Sequence, residues 1–83
     1  MHHEDLRALL NKRPFEAFRF YLMDGVTHYD VRHPEQCMVT RRMVVVGLPG
    51  ENGDDVPDRA IFIGIIHIAR VEPLSRASES QAG

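Results

Sequence analysis

The sequence predicts an α+β domain that is mainly β. An N-terminal amphipathic helix over about residues 4–13 leads into a small, strongly bent, five-stranded antiparallel barrel. Three observations predict it. "HEDLRALLNKR" spaces Leu6, Leu9 and Leu10 as one apolar stripe, and "FRFYLMDGVTHYDV" alternates apolar and polar residues on either side of Asp24-Gly25. "RAIFIGIIHIARVEPL" supplies an apolar run too short for a membrane and interrupted by Gly64.

The helix begins with the acids Glu4 and Asp5 and ends with Lys12 and Arg13, the order that suits its dipole. Pro14 stops it by disfavouring helical geometry at the residue before. So short a helix is stable only against something else, which must be the sheet.

A two-residue type I′ turn at Asp24-Gly25 puts Met23 opposite Val26 and sets the register outward from there. Leu22 then faces Thr27, Phe20 faces Tyr29 and Phe18 faces Val31 on one side of the hairpin. On the other side Tyr21 meets His28, and Arg19 meets Asp30 as an ion pair. A slip of one residue would destroy every match.

Pro34 breaks the pattern, and Cys37–Thr40 and Met43–Gly47 resume it around Arg41-Arg42. That dipeptide is either a tight turn or a bend within a longer strand pair, since arginine is a poor residue where positive φ is required. "PGENGDDVPD" is a loop by composition. Gly64 marks a bulge or bend, His67-Ile68 the corner, and "ARVEPL" a last strand with Val71 and Leu74 inward. The domain is expected to span residues 1–74, with 75–83 a disordered tail lacking apolar anchors.

Composition narrows the classes. At 83 residues there is room for one core, which should bury about 60–65% of the unfolded surface. The apolar and charged fractions of 43% and 27% are those of a globular protein. A net charge of −2 argues against a strongly cationic nucleic-acid binder. Cys37, the single cysteine, has no intrachain disulfide partner, and no signal-peptide pattern opens the chain. A cytoplasmic protein without membrane segments is expected.

The helix followed by "FRFYLMDG", a bent sheet, a polar loop and "IIHIARVEP" resembles the Sm-like fold, an SH3-type barrel to which a bacterial RNA chaperone belongs. The likeness is one of layout and covers about Leu6 to Leu74. It implies assembly by strand addition between protomers and RNA binding on one face. The chaperone's Tyr-Lys-His contact motif would fall on Ile65-Ile66-His67, where His67 alone matches. More narrowly, "RPFEAFRF", "HPE" and "HIARVEPL" resemble small bacterial proteins with an RPF-x-x-F-R opening, a likeness that implies no function.

Each candidate site has a plain alternative. Tyr21, Arg32, Arg41, Arg42 and His67 are the candidate RNA contacts, because arginine grips phosphate and tyrosine stacks on bases. Against this, Asp30 and Glu35 lie among them, and His67 reads first as a corner histidine bonded to backbone. His33 and Cys37 would need two further zinc ligands that no CxxC or HxxxH supplies. His3, third from the amino terminus, has the spacing to wrap copper or nickel, a spacing that also arises by chance. Glu51, Asp54, Asp55 and Asp58 lack EF-hand spacing and read as a solvated loop. No metal, cofactor or small-molecule substrate is expected.

No Ser-His-Asp ordering, paired carboxylates or phosphate-binding glycine loop points to an enzyme. Ala60–Ile66 is the sharper signal: seven non-polar residues in succession, of which a small barrel holds only alternate ones. Either the helix covers the others or a second chain does. The expectation is a non-enzymatic module that binds itself or another protein through Ile61, Phe62, Ile63, Ile65 and Ile66, with RNA binding as the alternative.

Overall fold

The computed structural model describes residues 1–49 and 57–75. Glu51, Asp54 and Asp55 of the acidic loop, and the expected tail beyond Ser75, lie outside the described residues.

Helix α1 spans His3–Asn11 and buries Leu6 to 2% exposure, with Leu9 and Leu10 packed beside it. Its end comes two residues before the sequence places it. Lys12 is already extended, so no basic residue sits in the last turn. The two bases act from outside the helix instead. Lys12 reaches Glu16 at 2.7 Å, holding that carboxyl below its usual range, and Arg13 Nη1 donates to the carbonyls of Leu10 and Lys12. At the other end the Asp5 carboxylate accepts from the His2 backbone N–H at 3.1 Å, satisfying one donor ahead of the first turn.

Strands β1 (Phe18–Leu22) and β2 (His28–Val31) form the expected hairpin, with Phe18 opposite Val31, Arg19 opposite Asp30, Phe20 opposite Tyr29 and Tyr21 opposite His28. The turn is different. A type I′ turn needs positive φ at both central residues, and only Gly25, at 78°, has it. The loop is longer: Leu22 N–H donates to Thr27 O, Gly25 N–H donates to Leu22 O, and the Asp24 carboxylate accepts from the N–H groups of Val26 and Thr27. The register survives because its apolar matches, rather than the turn, set it.

A 3-10 turn at Pro34–Gln36 leads into β3 (Cys37–Val39), then β4 (Met43–Pro49) and β5 (Pro57–Gly64). Arg41-Arg42 is a tight turn that requires no positive φ, and Thr40 Oγ1 pins it by accepting from Met43 N–H at 3.0 Å. A second 3-10 turn, Ile65–His67, forms the corner and begins two residues before the expected His67-Ile68, and β6 is Ile68–Pro73.

These are six strands in two antiparallel three-stranded sheets, ordered β2-β1-β6 and β3-β4-β5. Among the described residues the strands do not close into the expected five-stranded barrel. The sheets meet through the two 3-10 corners rather than a continuous ladder, and among the described residues no strand pairs with the outer edge of β5. The core between them holds Leu6, Phe18, Phe20, Val31, Val44, Val46, Ile63, Ile65 and Ile68. Burying each large side chain is worth about 1.5–3 kcal/mol.

Candidate functional site

Alternation gives each sheet a core side and an outer side, and the two outer sides differ in chemistry. Pairing of β1 with both neighbours lines up two cross-strand rows on the first sheet, Asp30–Arg19–Glu72 and His28–Tyr21–Arg70. In the first row Arg19 is bidentate on Asp30, at 2.7 Å from Nε and 3.2 Å from Nη2. These hydrogen bonds hold the guanidinium charged well above its ordinary range although its side chain is 8% exposed. In the second row Arg70 lies 3.9 Å over the Tyr21 ring, and the Tyr21 and His28 rings are 5.6 Å apart. Tyr21 is thus flanked by an aromatic ring and a cation on the same face.

The other candidate RNA contacts do not join it. Arg32 leaves β2 at the end away from the hairpin loop and approaches Asp30 at 3.6 Å. Arg41, Arg42 and His67 are exposed at the opposite end, where Ile65 N–H donates to Arg42 O and Met23 N–H donates to His67 O. The structure therefore leaves Arg32, alone of the set, beside Asp30, Tyr21 between His28 and Arg70, and Arg41, Arg42 and His67 near the Ile65–His67 corner.

The second sheet presents an apolar outer row. Met38 stands opposite Val45, and Val45 opposite Phe62, so the three side chains share one face. Phe62 is 70% exposed and Met38 60%. Ile66, just past β5, is 82% exposed, and the Met23 N–H···O bond to His67 brings exposed Met23 beside this corner. Alternation along β5 divides the predicted interface residues accordingly. Ile63 and Ile65 are in the core, Ile61 is half-buried, and only Phe62 and Ile66 face outward. Helix α1 leaves them uncovered, because its leucines enter the core and it packs along β3.

His28 was legible in the register of the first hairpin, whereas Met38, Val45 and Arg70 join these faces only through strand pairings that the sequence did not supply. An open groove lies between α1 and β3, edged by Arg7, Arg13 and Glu35. Cys37 borders it with a thiol that burial pushes up to about 11, which opposes the thiolate needed for metal ligation or nucleophilic attack. Among the described residues no three His, Cys, Asp or Glu side chains are grouped to hold a metal, and no helix is long and apolar enough to cross a membrane.

No protein-family model, curated protein or solved structure matches this chain.

Proposed function

We propose that the chain is a non-enzymatic interaction module that binds protein, itself or another, through the outer side of the β3-β4-β5 sheet. The observation that carries this is Phe62, 70% exposed at the end of the Met38–Val45–Phe62 row and next to an open strand edge. A small domain with little apolar surface to spare leaves a phenylalanine and an isoleucine in water where a partner shields them. An unpaired edge adds backbone donors and acceptors that a strand of the partner can satisfy. The return of β6 onto β1, and the passage of β2 through a 3-10 turn into β3, support an open SH3/Sm-like barrel as the scaffold.

The test is a pull-down from the native host with the wild-type chain, Phe62→Glu and Ile66→Glu as baits. Partners held by the wild type and lost with both variants are expected. Equal recovery by all three baits would reject the assignment to this face.

A second reading, an RNA-binding Sm-like protein, draws on the His28–Tyr21–Arg70 row, where a base could stack beside a cation. The scatter of the remaining arginines and the pairing of Arg19 with Asp30 weigh against it. Fluorescence anisotropy with U-rich and A-rich oligonucleotides at low salt decides, since phosphate contacts are strongest there.

A further inference from the structure

We infer that the end of the molecule formed by the turns after β1, β3 and β5 docks on an anionic lipid bilayer. Met23, Val26 and Ile66 enter the lipid interface, and Arg41 and Arg42 meet the anionic headgroups. The inference goes beyond the reading of the β3-β4-β5 face, with which it shares Ile66 alone.

Two backbone hydrogen bonds knit three separate turns into this end. Met23 N–H donates to His67 O at 2.8 Å, and Ile65 N–H donates to Arg42 O at 2.9 Å. The hairpin loop, the turn at residues 40–42 and the Ile65–His67 corner are thus held together. Two of the three carry apolar side chains that the core does not take. Met23 is 66% exposed, Val26 77% and Ile66 82%. Within the corner Ile65 is buried and the His67 ring lies against Gly64, where a Cβ would meet Cδ2 at 3.2 Å, so Ile66 is left in water.

Charge is distributed unevenly along the same axis. The chain has a net charge of −2, yet this end carries exposed Arg41 and Arg42, and among the described residues neither is in an ion pair. Arg19, Arg32 and Arg70, by contrast, each sit on a carboxylate of their own sheet. Among the described residues Asp24 is the carboxylate of this end. Its oxygens are engaged by the N–H groups of Val26 and Thr27 and by Thr27 Oγ1, within its own loop. Glu16, Asp30, Glu35, Asp58 and Glu72 lie at or near the opposite ends of the strands. An anionic surface therefore draws this end and repels the other, which fixes the orientation of approach.

The combination of side chains selects a bilayer over a nucleic acid or a protein. Nucleic acid offers phosphates to the arginines and no apolar phase to Met23, Val26 and Ile66. A protein would need a matched pocket for each of three side chains that project from turns rather than from one face. The lipid interface receives them one at a time, while the arginine heads stay at its charged surface.

Co-sedimentation of the full chain with vesicles tests this, one set of phosphatidylcholine alone and one an equimolar mixture with phosphatidylserine. At low salt the chain should pellet with the mixed vesicles and stay in solution with the neutral ones. Arg41→Gln and Arg42→Gln should each weaken partitioning about five-fold, the effect of one cation at an anionic surface. Ile66→Ser and Met23→Ser should each weaken it about ten-fold through lost apolar insertion. Both side chains lie outside the core, so these variants should keep the wild-type circular dichroism spectrum. Phe62→Ser should leave partitioning unchanged, because Phe62 faces sideways from its sheet.

No pelleting with the mixed vesicles would overturn the inference, as would a loss with Phe62→Ser equal to that with Ile66→Ser. Partitioning that needs the arginines but is indifferent to Ile66→Ser and Met23→Ser would also overturn it. Capture of a U-rich oligonucleotide through the same arginines, read by fluorescence anisotropy, would then assign this end to RNA. None of these results removes the sheet-face reading, which rests on Phe62.

Discussion

Arg19 and Asp30 stand opposite each other on β1 and β2, and the guanidinium forks onto the carboxylate at 2.7 and 3.2 Å with its own side chain 8% exposed. The arginine sits on the outer side of its sheet yet is as buried as many core residues. Its neutralisation therefore depends on one carboxylate within the sheet, with Glu72 opposite it on β6. Removing Asp30 leaves a shielded cation without its main partner. Asp30→Ala should cost about 2–4 kcal/mol, and Arg19→Met with Asp30→Leu should recover most of the loss. Urea unfolding of the three chains measures this; a single-variant loss below about 0.5 kcal/mol, the range of ordinary surface changes, would mean that the pair is effectively solvated.

Gln36 holds the corner between the two sheets. Its Nε2 donates to Asp30 O and Gly47 O, and its Oε1 accepts from Arg32 N–H. One side chain thus serves three backbone groups on both sides of the Pro34–Gln36 turn. Gln36→Ala should destabilise by about 1–3 kcal/mol, because partly buried carbonyls lose their donor. Gln36→Glu should be no milder, since a carboxylate accepts but does not donate. Thermal unfolding compares the two, and a harmless Gln36→Glu would show that the donated bonds contribute little.

Acid should act on the first hairpin through Asp24. Its hydrogen bonds from Thr27 Oγ1 and from the N–H groups of Val26 and Thr27 lower its pKa from 3.8. A carboxylate with a folded pKa below its unfolded one contributes stability above the unfolded value and loses it as pH falls through the folded one. Wild type should therefore lose stability below about pH 4 more steeply than Asp24→Ala does. Parallel acid titration curves for the two chains would contradict the role given to this carboxylate.

Two phenylalanines on neighbouring sheets should respond in opposite ways. Phe20 is 0% exposed and Phe62 is 70% exposed. Phe20→Ala should cost about 3–5 kcal/mol, enough to unfold most of a chain this small. Phe62→Ala should stay within about 0.5 kcal/mol for the isolated chain. Denaturant melts at low protein concentration, where association is negligible, make the comparison. A large loss at Phe62 would mean that the ring is structural.

The legible parts of this protein are those whose partners lie close along the chain. The β1–β2 register could be read because Phe18, Phe20, Val31 and the Arg19–Asp30 pair all agree on it across a short loop. The turn type could not, because the Asp24 carboxylate provides a local alternative to positive φ at its own backbone. The helix was legible from its leucines, whereas its end was not, since Lys12 and Arg13 satisfy the last carbonyls and Glu16 from outside the helix.

The sequence by itself determined that a helix precedes a set of short strands, the first hairpin and the excess of apolar residues in Ala60–Ile66, because each follows from periodicity within one segment. Only the tertiary structure decided which of those residues reach water. Which side of β5 faces the core depends on its pairing with β4, and where α1 lies depends on the fit of Leu6 between the sheets. Among the described residues the same packing left the edge of β5 without a paired strand, since two corners, rather than a continuous ladder, join the sheets. Long-range pairing is a sum of many weak contacts, and no single segment carries its outcome.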